Sequence, residues 1–383
     1  MSFEIRRGCS RIVPMRWPIS VLATILSLSA VHASQGDRSP AYSRCVAYKM
    51  HSARECDHYA PSLPLRLTRW TCEDDIRYRC TQELTEKALS LRQLDSVEHG
   101  GEALFFEGGE LEGLERGEMV QFHGKWPFKR WNGIQEPLSV LFSLLNLLAH
   151  YQGYRLITLH SSSVHYTTRS AKEKHALESL YKNNALVGIN SWFWSIVFHT
   201  RDNDWTEKAD YWSAGLGIGY GLYLAIYRIA KLHRPTSDPR IRGALKWPAI
   251  SLFLAHCTYL SIGRFDYGYN MKANLVVGVV QILLWTTWSC RIILSSRSPS
   301  LDSLRPSSPR ILPLVPLALL LLSTAFEILD FAPIPSNLRL LDAHALWHLS
   351  TIFVVGLWYR FLAADLRHVA QEEEGGKMGL RRE

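Results

Sequence analysis

Apolar residues are distributed unevenly along this chain of 383 residues. Residues 34–136 are polar and rich in charge, whereas residues 137–365 hold most of the long apolar runs. A helix needs about 20 apolar residues to span a bilayer, and several of these runs lie near the lower limit of that length. The pattern predicts an all-α membrane protein with seven transmembrane helices. The predicted segments are 137–154, 185–200, 209–228, 246–263, 272–293, 311–329 and 343–363.

The first 33 residues have the pattern of a secretory signal. Arginines precede an apolar stretch from Pro18 to Ala30, and Val31–Ala33 offers a small-residue cleavage site. An uncleaved signal anchor is the alternative, and in both cases the next segment is lumenal. We therefore expect a signal peptide (1–33), a small Cys-containing lumenal region (34–136), a seven-helix domain (137–365) and a cytoplasmic tail (366–383).

The formal net charge of +8 does not indicate a nucleic-acid-binding protein. Lys and Arg cluster in short loops between apolar runs, which is a feature of membrane topology and not of a phosphate-binding face. If residues 34–136 are lumenal, the loops after the first, third and fifth spans are cytoplasmic. All three are basic, with Lys172, Arg240 and Arg297 as examples, as the positive-inside rule requires. The topology predicts a lumenal N-terminus and a cytoplasmic C-terminus.

Four of the seven cysteines fall in the expected lumenal region. Their spacing does not match that of paired Cys-x-x-Cys zinc hooks, and an oxidising compartment favours disulfides. The sequence predicts two disulfides among these four residues without deciding their pairing. The residues are Cys45, Cys56, Cys72 and Cys80.

Three histidines stand at the expected lumenal ends of apolar segments. His344 and His348 are four residues apart, so that they share one helix face and can bind one metal ion. His199 closes another segment, and the predicted topology brings it to the same membrane depth. Three imidazoles with a fourth position open for water form a catalytic zinc site. The alternative is that each is a hydrogen-bonded histidine at the membrane interface, as we expect for His256.

Polar residues near these histidines have more than one candidate role. Asp210 could act as a general base or could orient a ligand histidine. Ser195 could donate a hydrogen bond to an oxyanion or act as a nucleophile, although neither a Gly-x-Ser-x-Gly nor a His-Glu-x-x-His motif is present. Asp342 and Asp330 could orient bound histidines or stabilise helix termini.

The sequence also contains several longer motifs. They resemble those of the lumenal GPI-remodelling factors, the post-GPI-attachment factor three family, and the resemblance covers about residues 36–365. The motifs are Gln121-Phe-His-Gly-Lys-Trp-Pro-Phe128, Gln135-Glu-Pro137, Trp192-Phe-Trp-Ser-Ile-Val-Phe-His-Thr-Arg-Asp202, Arg264-Phe-Asp-Tyr-Gly-Tyr-Asn270 and Asp342-Ala-His-Ala-Leu-Trp-His348.

The resemblance implies a place among seven-helix membrane hydrolases that include alkaline ceramidases. Members of that group resemble each other in a Ser-x-x-x-His motif, a downstream Asp and a His-x-x-x-His motif. In this chain the corresponding residues are Ser195, His199, Asp210, His344 and His348. By resemblance the metal is zinc, held by the three histidines, while Ser195 and Asp210 are catalytic. The implied activity is phospholipase A2-like removal of the sn-2 acyl chain from the phosphatidylinositol of GPI-anchored proteins. The substrate is then a GPI-anchored protein with its membrane phospholipid.

The resemblance also implies residence in the endoplasmic reticulum membrane, with the Golgi membrane as the alternative. A ceramidase-like hydrolase and a non-enzymatic seven-helix receptor are the alternative functions. The chain departs from the family where Lys49 and Ile76 stand at positions at which relatives tend to carry cysteine. This departure implies the loss of one disulfide and the retention of two.

Overall fold

The computed structural model describes residues 34–95, 109–115, 117–162, 168–262, 265–295 and 313–380. The predicted signal segment, residues 1–33, lies outside these ranges. Within them the chain forms helices joined by turns and no β-strand, which confirms the all-α fold class. The α-helices are α1 Gln35–Arg38, α2 Pro40–Ala47, α3 Leu63–Leu67, α4 Cys72–Asp95, α5 Pro137–Ser162, α6 Thr168–Thr200, α7 Asp204–Ile229, α8 Pro239–Ser261, α9 Tyr267–Ser295, α10 Leu314–Leu329 and α11 Ala343–Leu380.

Helices α5 to α11 fall on the seven predicted apolar segments, in order. Three of them extend well beyond the apolar part: α5 runs on to Ser162, α6 begins at Thr168, and α11 continues through the expected tail to Leu380. A polar extension can remain helical when its charges pair along one face. In α6 such a pair joins Glu178 and Lys182, with Oε1 and Nζ 2.6 Å apart.

Two of these helices are long and apolar enough to cross a membrane, over 267–294 and 343–369. Helix α10 is strongly apolar but has only 16 residues. Large apolar side chains also face outward from the bundle, including Leu252 (72% exposed), Leu322 (67%) and Phe353 (64%). Such an outer surface is that of a membrane protein. Seven spans and their orientation stay a prediction.

A buried ion pair joins two helices at one end of the bundle. Arg228 of α7 donates from Nε and Nη2 to the two carboxylate oxygens of Asp365 on α11, each over 2.7 Å. The hydroxyl of Tyr181 on α6 donates to the same carboxylate over 2.5 Å. The Arg228 guanidinium lies 5.6 Å from the ring centre of Trp288, which packs against the fully buried Trp285 and Phe361. The contacts tie three helices together far from the N-terminal region.

Two disulfides hold the N-terminal region, Cys45–Cys80 and Cys56–Cys72, which confirms the predicted number. They enclose a small core that includes Phe122 and the fully buried Ile76. Lys49 is not in this core and instead pairs with Glu83, at 3.2 Å.

The N-terminal region packs onto the helix ends at which α5 begins and α6 ends. Arg201, just after α6, contacts Asp74 of α4 at 2.6 Å. Arg339, in the connection before α11, contacts Glu86 of α4 at 2.7 Å. Arg339 is almost completely buried, so the interface is closed and not a loose contact.

Candidate metal centre

His199 lies in the last turn of α6, where backbone carbonyls have no partner within the helix. The segment just before α5 supplies donors for them: N–H of Gln135 donates to the carbonyl of Thr200, and N–H of Glu136 to that of His199, each over 3.0 Å. Pro137 then begins α5, a position at which proline is well tolerated. This backbone pairing brings the Glu136 side chain next to the His199 ring.

His344 and His348 lie in the first two turns of α11. The helix begins at Ala343 because Asp342 caps it: its Oδ1 accepts from the N–H of Ala345 over 2.8 Å. Asp342 therefore has the helix-terminus role that the sequence left open. The two histidines face the same side of the helix, as their spacing predicts.

The structure brings the three predicted histidines together. Their candidate ligand atoms all lie within 4.8 Å of one another. The ring centroids are 4.6 Å apart for His344 and His348, 4.9 Å for His199 and His348, and 5.2 Å for His199 and His344. His199 and His348 are buried, whereas the His344 side chain is 33% exposed. The group is therefore open to the outside on the His344 side.

Carboxylates hold the outer nitrogens of two of these rings. Oε2 of Glu136 lies 2.7 Å from Nδ1 of His199, and Oε2 of Glu327 lies 2.7 Å from Nδ1 of His344. An ionised carboxylate can only accept, so both Nδ1 atoms carry a hydrogen. In the neutral ring the lone pair is then on Nε2, the other nitrogen.

A serine has the same position behind the third ring. Oγ of Ser143 lies 2.9 Å from Nδ1 of His348. Ser143 donates its one proton to the carbonyl of Ser139 over 2.7 Å, so it accepts from both its other partners. Those partners are Nδ1–H of His348 and the hydroxyl of Ser195, which is 3.0 Å away. The lone pair of His348 is therefore also on Nε2.

The orientation of the rings brings Nε2 atoms face to face. Nε2 of His344 and Nε2 of His348 are 3.0 Å apart. Two lone pairs at this distance repel each other unless a cation or a proton lies between them. Neutral imidazoles whose second nitrogen is hydrogen bonded are the usual protein ligands of zinc. The residues present thus fit a metal ion, and the group could hold one.

Ser195 and Asp210 both lie beside the histidines. Ser195 is buried one turn before His199 and reaches His348 only through Ser143. Asp210 lies early in α7 and is close enough to His344 for an electrostatic interaction. The start of α7 is set by a capping box between Asn203 and Thr206.

Other polar residues named from the sequence lie elsewhere. Asp330 does not orient a histidine: its carboxylate accepts from Gln121 Nε2 over 2.9 Å and from Trp126 Nε1 over 3.0 Å. His256 contacts the Tyr269 hydroxyl through Nδ1 at 3.3 Å and lies outside the histidine group.

Glu136, Glu327 and Ser143 were not among the site residues predicted from the sequence. Glu327 had a signal, because a carboxylate inside an apolar run is costly and needs a partner. Glu136 belongs to the Gln135-Glu-Pro137 motif, but nothing in the local sequence connects it to His199. Ser143 had no signal, since serine is common within helices.

A buried lysine completes the surroundings of His199. Nζ of Lys125 lies 2.5 Å from Oε1 of Glu136 and 3.3 Å from Oδ2 of Asp202. Burial by itself raises the pKa of the Glu136 carboxyl, but Lys125 and His199 hold that pKa well below its ordinary value. Burial likewise lowers the pKa of Lys125, but the two carboxylates raise it overall. Lys125 and Glu136 are therefore both charged.

Comparison with known proteins identifies the family of this chain. Residues 62–366 match the profile of the Per1-like family. The chain belongs to the Per1-like family. The matched region includes helix α4 of the N-terminal region as well as α5 to α10 and most of α11, so the family covers the histidine group together with the structure packed on it.

Relatives in this family are similar along almost their whole length. A fission yeast protein, "Protein PER1 homolog" of Schizosaccharomyces pombe, is 37% identical over 90% of this chain and 91% of its own. The Mus musculus "GPI-specific phospholipase A2-like PGAP3" is 36% identical over 92% and 95%. The Homo sapiens protein of that name is 34% identical over 89% and 92%. No solved structure matches the chain.

Proposed function

We propose that this chain is a zinc-dependent hydrolase that removes the sn-2 acyl chain from the phosphatidylinositol of GPI-anchored proteins. The observation that carries the proposal is the histidine group, in which each Nδ1 has a partner and the Nε2 atoms are left for a metal. The substrate rests on the relatives, whose printed name is "GPI-specific phospholipase A2-like PGAP3".

His199, His344 and His348 would hold the zinc ion. When bound, zinc would act as a Lewis acid that polarises an ester carbonyl. It would also lower the pKa of water, so that hydroxide is available as the nucleophile near neutral pH. The remaining work belongs to the side chains of this protein. Glu136 and Glu327 keep their rings oriented by accepting from Nδ1, which also makes the imidazoles better donors.

Asp210 and Ser195 are the proposed catalytic residues. The Asp210 carboxylate interacts electrostatically with His344, the most exposed of the three histidines, and its proposed role is to take a proton from water. The Ser195 hydroxyl contacts Ser143 and not an imidazole, so the described contacts give it no base. This favours a hydrogen-bonding role for Ser195 over a nucleophilic one.

The arrangement of the chain supports a lumenal site. The disulfide-bonded region packs on the same helix ends that carry the histidines, and disulfides form in oxidising compartments. The basic start of α6, with Arg169 and Lys172, and the basic connection after α7, with Lys231 and Arg234, lie at the opposite ends of these helices, as a cytoplasmic side requires. We propose seven spans in the endoplasmic reticulum membrane, with the Golgi membrane as the alternative.

Indole rings beside the histidines suit a lipid substrate. Trp347 stacks on His344 with ring centroids 5.5 Å apart, and Trp192 lies edge-on to His348 at 5.1 Å. Tryptophan favours the boundary between headgroups and acyl chains, where the scissile ester of a phospholipid is found. An acyl chain beside these rings can stay in apolar surroundings while its ester reaches the open side.

Lipid analysis in cells that lack the endogenous factor tests the proposal. Wild type should restore the remodelled sn-2 position of GPI lipids in mass spectra, and His348→Ala should not. His256→Ala is the matched control, because this histidine lies in an apolar helix outside the group. Full restoration by His348→Ala would reject the metal site. Ceramide hydrolysis by purified wild type, without GPI remodelling, would favour the ceramidase alternative.

A further inference from the structure

The N-terminal region supplies one buried cation to the helix ends that carry the histidines. Lys125 follows a two-residue turn in which His123 and Gly124 have φ of 51° and 75°. Phe122 and Lys125 exchange both backbone hydrogen bonds, of 2.8 and 3.0 Å, which is the pattern of a tight type I′ turn. Phe122 is buried in the disulfide-bonded core. The core therefore determines where the Lys125 side chain points.

Lys125 contacts two carboxylates and an aromatic ring. It lies 2.5 Å from Oε1 of Glu136, 3.3 Å from Oδ2 of Asp202 and 3.9 Å from the ring centre of Phe198. Its side chain is 18% exposed and that of Glu136 is 4% exposed. A charge so poorly hydrated is stable only while it is paired, so these contacts persist together or are lost together.

Glu136 divides its two oxygens between Lys125 and a histidine. Oε1 accepts from Lys125, and Oε2 accepts from Nδ1 of His199. The Glu136 backbone N–H is also bound, to the carbonyl of His199. With Oε1 held, the carboxylate plane cannot rotate, and Oε2 stays aimed at the ring. Without Lys125 this carboxylate would be buried beside Asp202 with one side-chain partner.

We propose that Lys125 is a positioning residue of the metal centre, acting through Glu136 on His199. The inference rests on the proposed function, because it assumes that His199 is a metal ligand. It assigns the N-terminal region a part in the site itself: a segment outside the seven long helices supplies the cation that orients a ligand. A plain docking role for Lys125, through Asp202 alone, is the competing explanation.

Zinc affinity of the purified full-length protein tests this role. We would measure it by competition with a chelator for wild type, Lys125→Met and Lys129→Met. Lys129 is the matched control, since it lies four residues on, is exposed, and contacts Glu86 instead of the site. Lys125→Met should weaken zinc binding by about 10- to 100-fold, the usual effect of losing an outer partner of a ligand. Lys129→Met should leave it unchanged.

A double-mutant cycle separates the two explanations. If Lys125 acts through Glu136, adding Lys125→Met to Glu136→Gln should weaken zinc binding far less than it does in wild type. An equal loss in both backgrounds would overturn the proposal, as would wild-type affinity in Lys125→Met. If Lys125→Met does not fold, Lys125→Gln keeps one donor to Glu136 without the charge and should still weaken binding severalfold.

The outcome also distinguishes this proposal from the proposed function. Wild type that binds no zinc would reject the metal centre and Lys125 with it. Wild type that binds zinc, with Lys125→Met and Lys125→Gln unaffected, would reject the role of Lys125 alone. Intact-mass measurement of both disulfides in each variant checks that the N-terminal region has folded.

Discussion

Nδ1 of His348 lies 2.9 Å from Oγ of Ser143, a neutral partner behind a candidate metal ligand. The other two histidines have carboxylates in that position, Glu136 and Glu327. The three rings are therefore not equivalent. A carboxylate makes an imidazole a stronger donor to a metal, whereas a hydroxyl only fixes its orientation.

The Ser143 contact predicts a specific loss of metal binding. Ser143→Ala would remove a buried acceptor of the Nδ1–H of His348, and loss of a buried hydrogen-bond partner costs about 1–3 kcal/mol. We expect zinc affinity to fall by about 10- to 100-fold in a chelator competition. Ser350→Ala is the control. This serine lies on α11, the helix of His348, and its described hydrogen bond is to the carbonyl of Trp347. Equal affinities of the two variants would contradict the assigned orientation of His348.

Glu327 allows charge and hydrogen bonding to be separated. Glu327→Gln keeps an oxygen that can accept from Nδ1 of His344, and Glu327→Ala removes it. We expect the glutamine variant to stay within severalfold of wild type in zinc affinity and GPI remodelling. The alanine variant should lose about 10- to 100-fold in affinity. If both variants lose equally, the charge and not the hydrogen bond is what His344 requires.

Removing the metal should lower thermal stability. A ligand bound at 100 times its Kd stabilises a folded protein by about 2.7 kcal/mol. Chelation of purified wild type should lower Tm, and added zinc should restore it. His348→Ala should not respond to the chelator, whereas His256→Ala should respond as wild type does. An unchanged wild-type Tm after complete removal of bound zinc would show that the metal does not stabilise the helix ends.

The buried pair Arg228 and Asp365 predicts a large stability effect far from the site. Asp365→Ala leaves the Arg228 charge buried without its partner, and such changes cost about 3–5 kcal/mol. Arg228→Met together with Asp365→Leu should recover most of that loss, because no charge stays buried. Thermal unfolding in detergent measures both variants. A double variant as unstable as Asp365→Ala would argue that the pair has a role beyond neutralising charge.

Much of the fold could be predicted because its signals are local. The length of each apolar run predicts a helix, and each of the seven predicted segments coincides with a helix over its described residues. The spacing of His344 and His348 predicts a shared face, since helical periodicity does not depend on the rest of the chain. The number of disulfides followed from the four cysteines of the N-terminal region.

The partners of the histidines were decided by the tertiary structure. Asp342 and Asp330 were candidates because they lie near the histidines in sequence, yet Asp342 caps α11 and Asp330 binds Gln121 and Trp126. Glu136 lies 63 residues from His199, and Ser143 lies 205 residues from His348. Contacts between residues so far apart in the sequence depend on which helix ends pack together. The periodicity of apolar residues does not predict that packing.

The sequence alone thus determined the helices, the candidate ligands and the resemblance to a hydrolase family. Only the tertiary structure decided how the ligands are oriented and that Lys125, from the disulfide-bonded region, reaches Glu136. The physical reason is that a helix forms from neighbouring residues, whereas the direction of a lone pair depends on the acceptor behind the ring. That acceptor comes from another segment of the chain.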